Sequence, residues 1–220
     1  MQRKKLLQIR ETKKLFYDEY PYKLVIRNAL THIFRERNYR SAQIALDDLQ
    51  LKYEKGEPLS TGTFRVYTYE VETFLECKML YEEFVKSEDL KIRVETPLIQ
   101  IYSHNKPWLS QLSKKVRDAT ELWSPHSVIA KNTIIVDSPV VYSYKITMGS
   151  RVDPALGKWI VNNPNKAKIG SVALREICNR GFVKGMYFYV RDEKILNLVN
   201  LMLGKTCRVD KLIYKQDLDK

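Results

Sequence analysis

Three pairs of similar segments occur in the same order along the chain and at nearly the same spacing. They are residues 20–26 (YPYKLVI) with 142–148 (YSYKITM), 66–69 (VYTY) with 186–189 (MYFY), and 92–95 (IRVE) with 207–210 (CRVD). Each segment is rich in the β-branched and aromatic residues that favour strands. Ordered self-similarity of this kind indicates an internal duplication, so we predict that the two copies have the same fold.

The residues between the matched segments carry helical patterns. Helices are predicted over residues 28–37, 41–50 and 71–86 in the first copy, and over 153–161, 171–179 and 193–203 in the second. Asp153 followed by Pro154 is typical of a helix start. We therefore predict an α+β protein with two ferredoxin-like (β-α-β-α-β) units, each with its helices packed on one face of a small sheet.

This pattern divides the chain into four parts. Residues 1–14 are predicted to form a basic helical arm, 15–118 the first repeat, 119–138 a linker and 139–220 the second repeat. The linker is inferred from the sequence Trp-Ser-Pro-His-Ser at residues 123–127, because such residues interrupt helices and strands.

The charge of the chain is high for its size. Of its 220 residues, 38 are Lys or Arg and 26 are Asp or Glu, which gives a formal net charge of +12. This charge favours an acidic partner, which is a nucleic acid, an anionic membrane or an acidic protein, although dispersed surface lysines would give the same total. No run of apolar residues is long enough to cross a membrane, so we expect a soluble protein and no membrane partner.

The positive charge is unevenly distributed. Basic side chains cluster in the arm and around the first helical segment: Arg3, Lys4, Lys5, Arg10, Lys13, Lys14, Arg27, Arg35, Arg37 and Arg40. Such clusters bind a polyanion by releasing its condensed counterions, without reading bases. Residues 70–89 are acidic instead, and this segment could contact the basic surface of a second copy, which would favour a homo-oligomer.

Alternation along the strands predicts which side chains are exposed. In the segments around 66–69 and 186–189, one face is predicted to be aromatic and basic: Arg65, Tyr67 and Tyr69 in the first copy, and Tyr187, Tyr189 and Arg191, with Lys184 just before them, in the second. Exposed aromatic rings beside cations can stack on unpaired bases. The alternative is aromatic packing within a sheet or at a subunit interface.

The first strand of each copy has a different distribution. Tyr22 is predicted to share a face with Leu24 and Ile26, at the edge of the core, and Lys23 lies on the opposite face. Tyr144 and Lys145 have the same arrangement in the second copy.

Catalytic and metal-binding motifs are not found. The histidines His32, His104 and His126 form no metal-binding pair, and the chain contains neither a glycine-rich phosphate loop nor a GxSxG elbow. Glu76 and Lys78 resemble the acid-x-Lys pair of some nucleases but lie in a predicted helix, so we interpret them as structural. The sequence therefore predicts no catalytic residue, no metal ligand and no cofactor.

The three cysteines are far apart in the sequence and odd in number, which favours free thiols in a reducing compartment. We therefore expect a location in the cytoplasm, or in the host-cell cytoplasm for a viral protein. The abundance of Lys, Tyr, Asn and Ile is typical of AT-rich genomes such as those of many phages. The expected function is non-catalytic binding of RNA or single-stranded DNA. The alternatives are a structural or assembly subunit and, second, a metal-dependent nuclease.

Overall fold

The structure is a computed structural model that describes residues 6–36, 39–62, 66–150, 152–203 and 207–218. The protein is α+β and contains two five-stranded sheets, in which most neighbouring strands are antiparallel. The chain divides into two compact units. The first consists of Met1–Thr12 and Glu19–His126, and the second of Lys13–Asp18 and Ser127–Lys220.

The first unit is built around one large sheet. Its elements are β1 (Gln8–Thr12), β2 (Tyr22–Arg27), a 3-10 helix (Ala29–Phe34), α1 (Tyr39–Glu54), β3 (Ser60–Thr61), β4 (Tyr67–Thr68), α2 (Val71–Lys86), β5 (Lys91–Glu95), β6 (Leu98–Ser103), α3 (Lys106–Lys115) and β7 (Ala119–Pro125). The strand order in the sheet is β1-β7-β2-β6-β5, and β3 and β4 form a separate two-stranded ribbon. Strand β1 is parallel to β7, and the other neighbours are antiparallel.

The second unit contains the other five-stranded sheet. Its elements are β8 (Thr133–Val136), β9 (Tyr144–Thr147), α4 (Pro154–Val161), β10 (Ala167–Ile169), α5 (Ser171–Cys178), β11 (Tyr187–Val190), α6 (Glu193–Leu203), β12 (Arg208–Tyr214) and a 3-10 helix (Lys215–Asp217). The strand order is β8-β12-β9-β11-β10. Strand β8 is parallel to β12, and the other neighbours are antiparallel.

The two sheets have the same plan. In each, the first strand of the unit lies at one edge, parallel to the last strand, and the second strand lies at the centre. These sheets fit a duplicated arrangement of two units. The predicted equivalence of Tyr22 and Tyr144 is confirmed, because each begins the central strand of its sheet, β2 or β9.

The other two sequence matches relate strands that are not equivalent. Strand β4 lies in the ribbon, whereas β11 lies beside the central strand, where its counterpart in the first unit is β6. Strand β5 lies at a sheet edge, whereas β12 corresponds in position to β7. The prediction was wrong here because alternating aromatic or apolar residues favour any half-buried strand and do not specify its partner.

The division of the chain also differs from the sequence prediction. Residues 8–12 of the predicted helical arm form the edge strand β1, whose backbone pairs with β7. The predicted linker 119–138 contains the strands β7 and β8. Pro125 ends a strand rather than opening a linker, and Ala119 and Leu122 of that strand are buried in the core of the first unit.

Each core lies on one face of its sheet. In the first unit the sheet contributes Leu24, Ile26, Ile99 and Ile101, and helices α1, α2 and α3 complete the same cluster. In the second unit Ile146, Phe188 and Val190 pack with residues of α4, α5 and α6. Because strand side chains alternate between faces, the intervening residues lie on the opposite side, which we call the outer face of each sheet.

Local interactions explain where two of the helices begin. The Asp153 carboxylate accepts a hydrogen bond from the backbone N–H of Ala155 at 2.8 Å, which confirms the predicted start of α4. Asn105 caps α3 in the same way through the N–H of Trp108, at 3.0 Å. In the part of the chain that the structure describes, no helix is long and apolar enough to cross a membrane.

One carboxylate is buried between elements of the first unit. Glu76 of α2 is 8% exposed. It accepts hydrogen bonds from the Asn28 side chain at 3.2 Å and from the backbone N–H of Arg117 at 2.9 Å. Asn28 in turn caps the 3-10 helix through the N–H of Leu30. Glu76 therefore connects α2 to the end of β2 and to the segment before β7. This is the structural role that we expected from its position in a helix.

Candidate nucleic-acid interface

The outer face of the second sheet carries aromatic and basic side chains on adjacent strands. Lys145 of the central strand β9 lies opposite Tyr189 of β11, and Thr147 lies opposite Tyr187. The side chain of Tyr187 is 45% exposed, whereas that of the next residue, Phe188, is fully buried. The predicted alternation of β11 is therefore confirmed, and both tyrosines lie on the outer face.

These side chains contact one another. The Lys145 ammonium lies 4.1 Å from the centroid of the Tyr187 ring, within the range of a cation–π interaction. The rings of Tyr187 and Tyr189 meet edge to face, with centroids 5.5 Å apart. Burial raises the pKa of Tyr189, and the adjacent Tyr187 raises it further. Tyr189 therefore stays a neutral phenol across the physiological pH range.

An ion pair lies beside this aromatic group. Arg208 donates to the buried Asp210 carboxylate at 2.7 Å and to Asp18 at 2.6 Å. The hydrogen bond to Asp210 raises the pKa of Arg208, although burial acts in the opposite direction. Two further cations are exposed on the outer face or at its border: Lys168 of β10, which lies opposite Tyr189 of β11, and Arg191, which follows β11.

The outer face of the first sheet has a related arrangement around Trp123 of β7. The Lys23 ammonium lies 4.3 Å from the Trp123 ring centroid, and the Arg10 guanidinium lies 5.4 Å from it. Glu121 accepts a hydrogen bond from the Trp123 indole N–H at 2.7 Å and pairs with Arg10 at 3.0 Å. Burial lowers the pKa of Lys23, and the nearby Glu121 carboxylate opposes this shift.

Lys23 and Lys145 occupy the same position in the two sheets. Lys23 lies opposite Tyr102 of β6, as Lys145 lies opposite Tyr189 of β11. Each lysine also lies over an aromatic ring of a neighbouring strand. The sequence placed both lysines on the outward face, but it did not identify them as site residues. Trp123 was missed because it was assigned to a linker.

Other predicted site residues lie elsewhere in the first unit. Tyr67 is exposed on the β3–β4 ribbon. Tyr69 follows that strand, packs against the His32 ring and forms a hydrogen bond with the Thr61 hydroxyl at 2.9 Å. The predicted sites of the two copies therefore differ: Tyr187 and Tyr189 lie in a five-stranded sheet, and Tyr67 does not.

The predicted basic residues have several kinds of surroundings. Arg27 lies 3.7 Å from Asp118, and Arg35 donates to the Thr96 hydroxyl at 3.2 Å. The remaining described residues are exposed: Lys13, which pairs with Asp137, together with Lys14, Arg40 and Lys184. Five predicted residues lie outside the described part of the chain: Arg3, Lys4, Lys5, Arg37 and Arg65.

Among residues 6–36, 39–62, 66–150, 152–203 and 207–218, no three His, Cys, Asp or Glu side chains lie close enough to hold a metal ion together. Comparisons with known protein families, with curated proteins and with solved structures found no match.

Proposed function

We propose that this protein binds single-stranded nucleic acid, RNA or DNA, without acting on it chemically, and that the outer face of the second sheet is the principal contact. The observation that carries this proposal is the group formed by Lys145, Tyr187 and Tyr189 on two adjacent central strands. Aromatic rings on a sheet surface can stack on unpaired bases, and neighbouring cations attract the phosphates.

We also propose that each unit is ferredoxin-like, with one added edge strand. Without β1, the first sheet contains β2, β5, β6 and β7 in the order β7-β2-β6-β5, and all its neighbours are antiparallel. The corresponding strands of the second sheet have the same order. This pattern supports a split β-α-β unit, in which one strand inserts between two others that a helical crossover connects.

The charge around the aromatic group agrees with a polyanionic ligand. Lys145, Lys168 and Arg191 are distributed around the two tyrosines. Arg208 pairs with two carboxylates, Asp210 and Asp18, so the three cations outnumber the one carboxylate that Arg208 leaves unbalanced. Each phosphate that they neutralise releases counterions, and we therefore expect binding to weaken steeply as salt increases.

Replacing Tyr187 by alanine is expected to weaken single-strand binding about 5-fold to 150-fold, because a stacked base contributes roughly 1–3 kcal/mol. Duplex binding should change less, because paired bases offer no free faces. Fluorescence anisotropy with labelled single-stranded RNA, single-stranded DNA and duplex measures both effects. Tyr53→Ala is a matched control, because Tyr53 is 43% exposed and lies on helix α1.

Unchanged single-strand affinity in a folded Tyr187→Ala protein would contradict the stacking proposal. A parallel titration with divalent metal reports any cleavage of the strand, which would favour the nuclease alternative.

Removing residues 1–5 is expected to reduce the salt dependence of binding while leaving β1 in place. This deletion removes Arg3, Lys4 and Lys5. Each lost phosphate contact should lower the slope of log affinity against log salt by about 0.7 for a single strand. Titrations at several salt concentrations measure the slope. An identical slope would show that these residues do not contact phosphate.

A second function is favoured by helix α6. Leu201 is 85% exposed on this helix, and Leu198 and Met202 are also exposed, whereas Val199 is buried in the core. An apolar surface of this kind is typical of a protein contact. This surface supports the alternative that the protein is an assembly subunit. Light scattering of the purified protein tests this alternative directly. A concentration-dependent oligomer that dissociates in the Leu201→Glu variant would favour the assembly subunit.

A further inference from the structure

A groove of about 280 Å³ lies on the outer face of the first sheet. Its apolar lining includes Val25 and Leu98, on adjacent strands. Three cations, Arg10, Lys23 and Arg27, also line it, together with the Glu121 carboxylate, which pairs with Arg10. The volume is close to the lower end of the range for small-ligand pockets. An apolar floor with cations at its rim suits a planar ring that carries a phosphate.

The side-chain amide of Gln100 also lines this groove. Its oxygen accepts a hydrogen bond from the Tyr102 hydroxyl at 2.5 Å, and its nitrogen donates to Glu95 at 3.0 Å. These two partners fix the orientation of the amide. Counting the hydrogen bonds to described residues, the Gln100 amide keeps one N–H and one oxygen lone pair for a ligand.

Gln100 occupies the position that Tyr187 occupies in the second sheet. Gln100 lies opposite Val25, two residues after Lys23, and Tyr187 lies opposite Thr147, two residues after Lys145. An amide therefore stands in the first sheet at the position where the second sheet has a ring. A ring stacks on any base, whereas an amide with one donor and one acceptor pairs only with a base edge that offers one acceptor beside one donor. Glutamine makes such a bidentate contact with N6 and N7 of adenine.

We propose that the groove of the first unit binds one adenine nucleotide, with the base edge on Gln100 and the phosphate near Lys23 and Arg27, and that it gives the protein a base preference. The second unit then supplies affinity that does not depend on the base. This inference rests on the proposed function when the nucleotide is part of a strand. A free adenine nucleotide has the same chemistry and would use the same groove.

The test uses the full chain and single-stranded homo-oligomers of adenine, cytosine and uracil. We expect the wild-type protein to prefer the adenine oligomer at least about fivefold, in line with a bidentate base contact. Gln100→Ala should abolish this preference, whereas Tyr187→Ala should weaken binding to all three oligomers by a similar factor and keep the preference. Gln43→Ala, on helix α1, is the matched control.

A second arm uses adenosine monophosphate alone, monitored through the fluorescence of the protein. Saturable binding of the monophosphate that Gln100→Ala weakens would support the nucleotide site in the groove even if no oligomer binds. Failure of the proposed single-strand binding can therefore be distinguished from failure of this inference. Equal affinity for the three oligomers without monophosphate binding would overturn the inference. So would a base preference that survives Gln100→Ala. If this variant fails to fold, as judged by circular dichroism, Gln100→Thr provides the same test with a residue that favours strands.

Discussion

Replacing Phe188 by alanine is expected to destabilise the protein by about 3–5 kcal/mol, the usual cost of removing a buried aromatic ring from a packed core. Phe188 is fully buried and packs in the second core with Ile146 and Val190. The adjacent Tyr187 lies on the opposite face. Tyr187→Ala should therefore change stability by less than about 1 kcal/mol, because surface substitutions have small effects.

Urea titrations followed by circular dichroism measure both changes. The two neighbouring residues should affect different properties: Phe188→Ala lowers stability, and Tyr187→Ala lowers single-strand affinity. Similar losses of stability in the two variants would contradict the assignment of the two faces of β11, and with it the candidate interface.

Replacing Glu76 by alanine is expected to lower the free energy of unfolding by about 3 kcal/mol, because two hydrogen bonds to a charged acceptor are lost and each contributes roughly 1.5–3 kcal/mol. The donors left behind are the Asn28 side chain and the backbone N–H of Arg117. Asn28 also donates to the backbone oxygen of Thr73, so part of its bonding remains.

Glu76→Gln separates the carboxylate charge from the shape of the side chain. The glutamine oxygen can still accept one of the two hydrogen bonds, and we expect a loss of about 1–2 kcal/mol. Thermal and urea unfolding of both variants provide the measurement. Full stability in Glu76→Ala would show that water replaces the carboxylate at no cost. Single-strand affinity of the folded fraction should not change, because Glu76 lies in the first core and not on an outer face.

Local sequence patterns predicted several elements well. The helices α2 and α6 begin and end at the residues expected from periodicity, and Asp153 caps α4 as predicted. These features depend on contacts within a few residues. The partners of the strands could not be predicted in this way, because pairing joins distant residues such as Lys23 and Trp123. The Tyr-x-Tyr segments therefore looked equivalent although one lies in a ribbon.

The candidate site was predictable to a similar extent. Alternation placed Tyr187 and Tyr189 on one face, and it placed Lys23 and Lys145 on outward faces. The rings that these lysines cover belong to other strands, so the contacts between lysine and ring depend on the register of the strands. The groove at Gln100 involves four strands of the first sheet and has no signature in any one of them.

The path of the chain has a consequence for synthesis. Residues 13–18 belong to the second unit, although they precede nearly all of the first. The carbonyl oxygen of Lys13 accepts a hydrogen bond from the N–H of Ile135, and Asp18 pairs with Arg208. During translation this segment emerges long before its partners, and domains generally fold from the N-terminus first. The second unit can therefore close only after its last strand, β12, has been made. A cut after His126 would separate residues 127 onward from residues 13–18, which belong to the same unit.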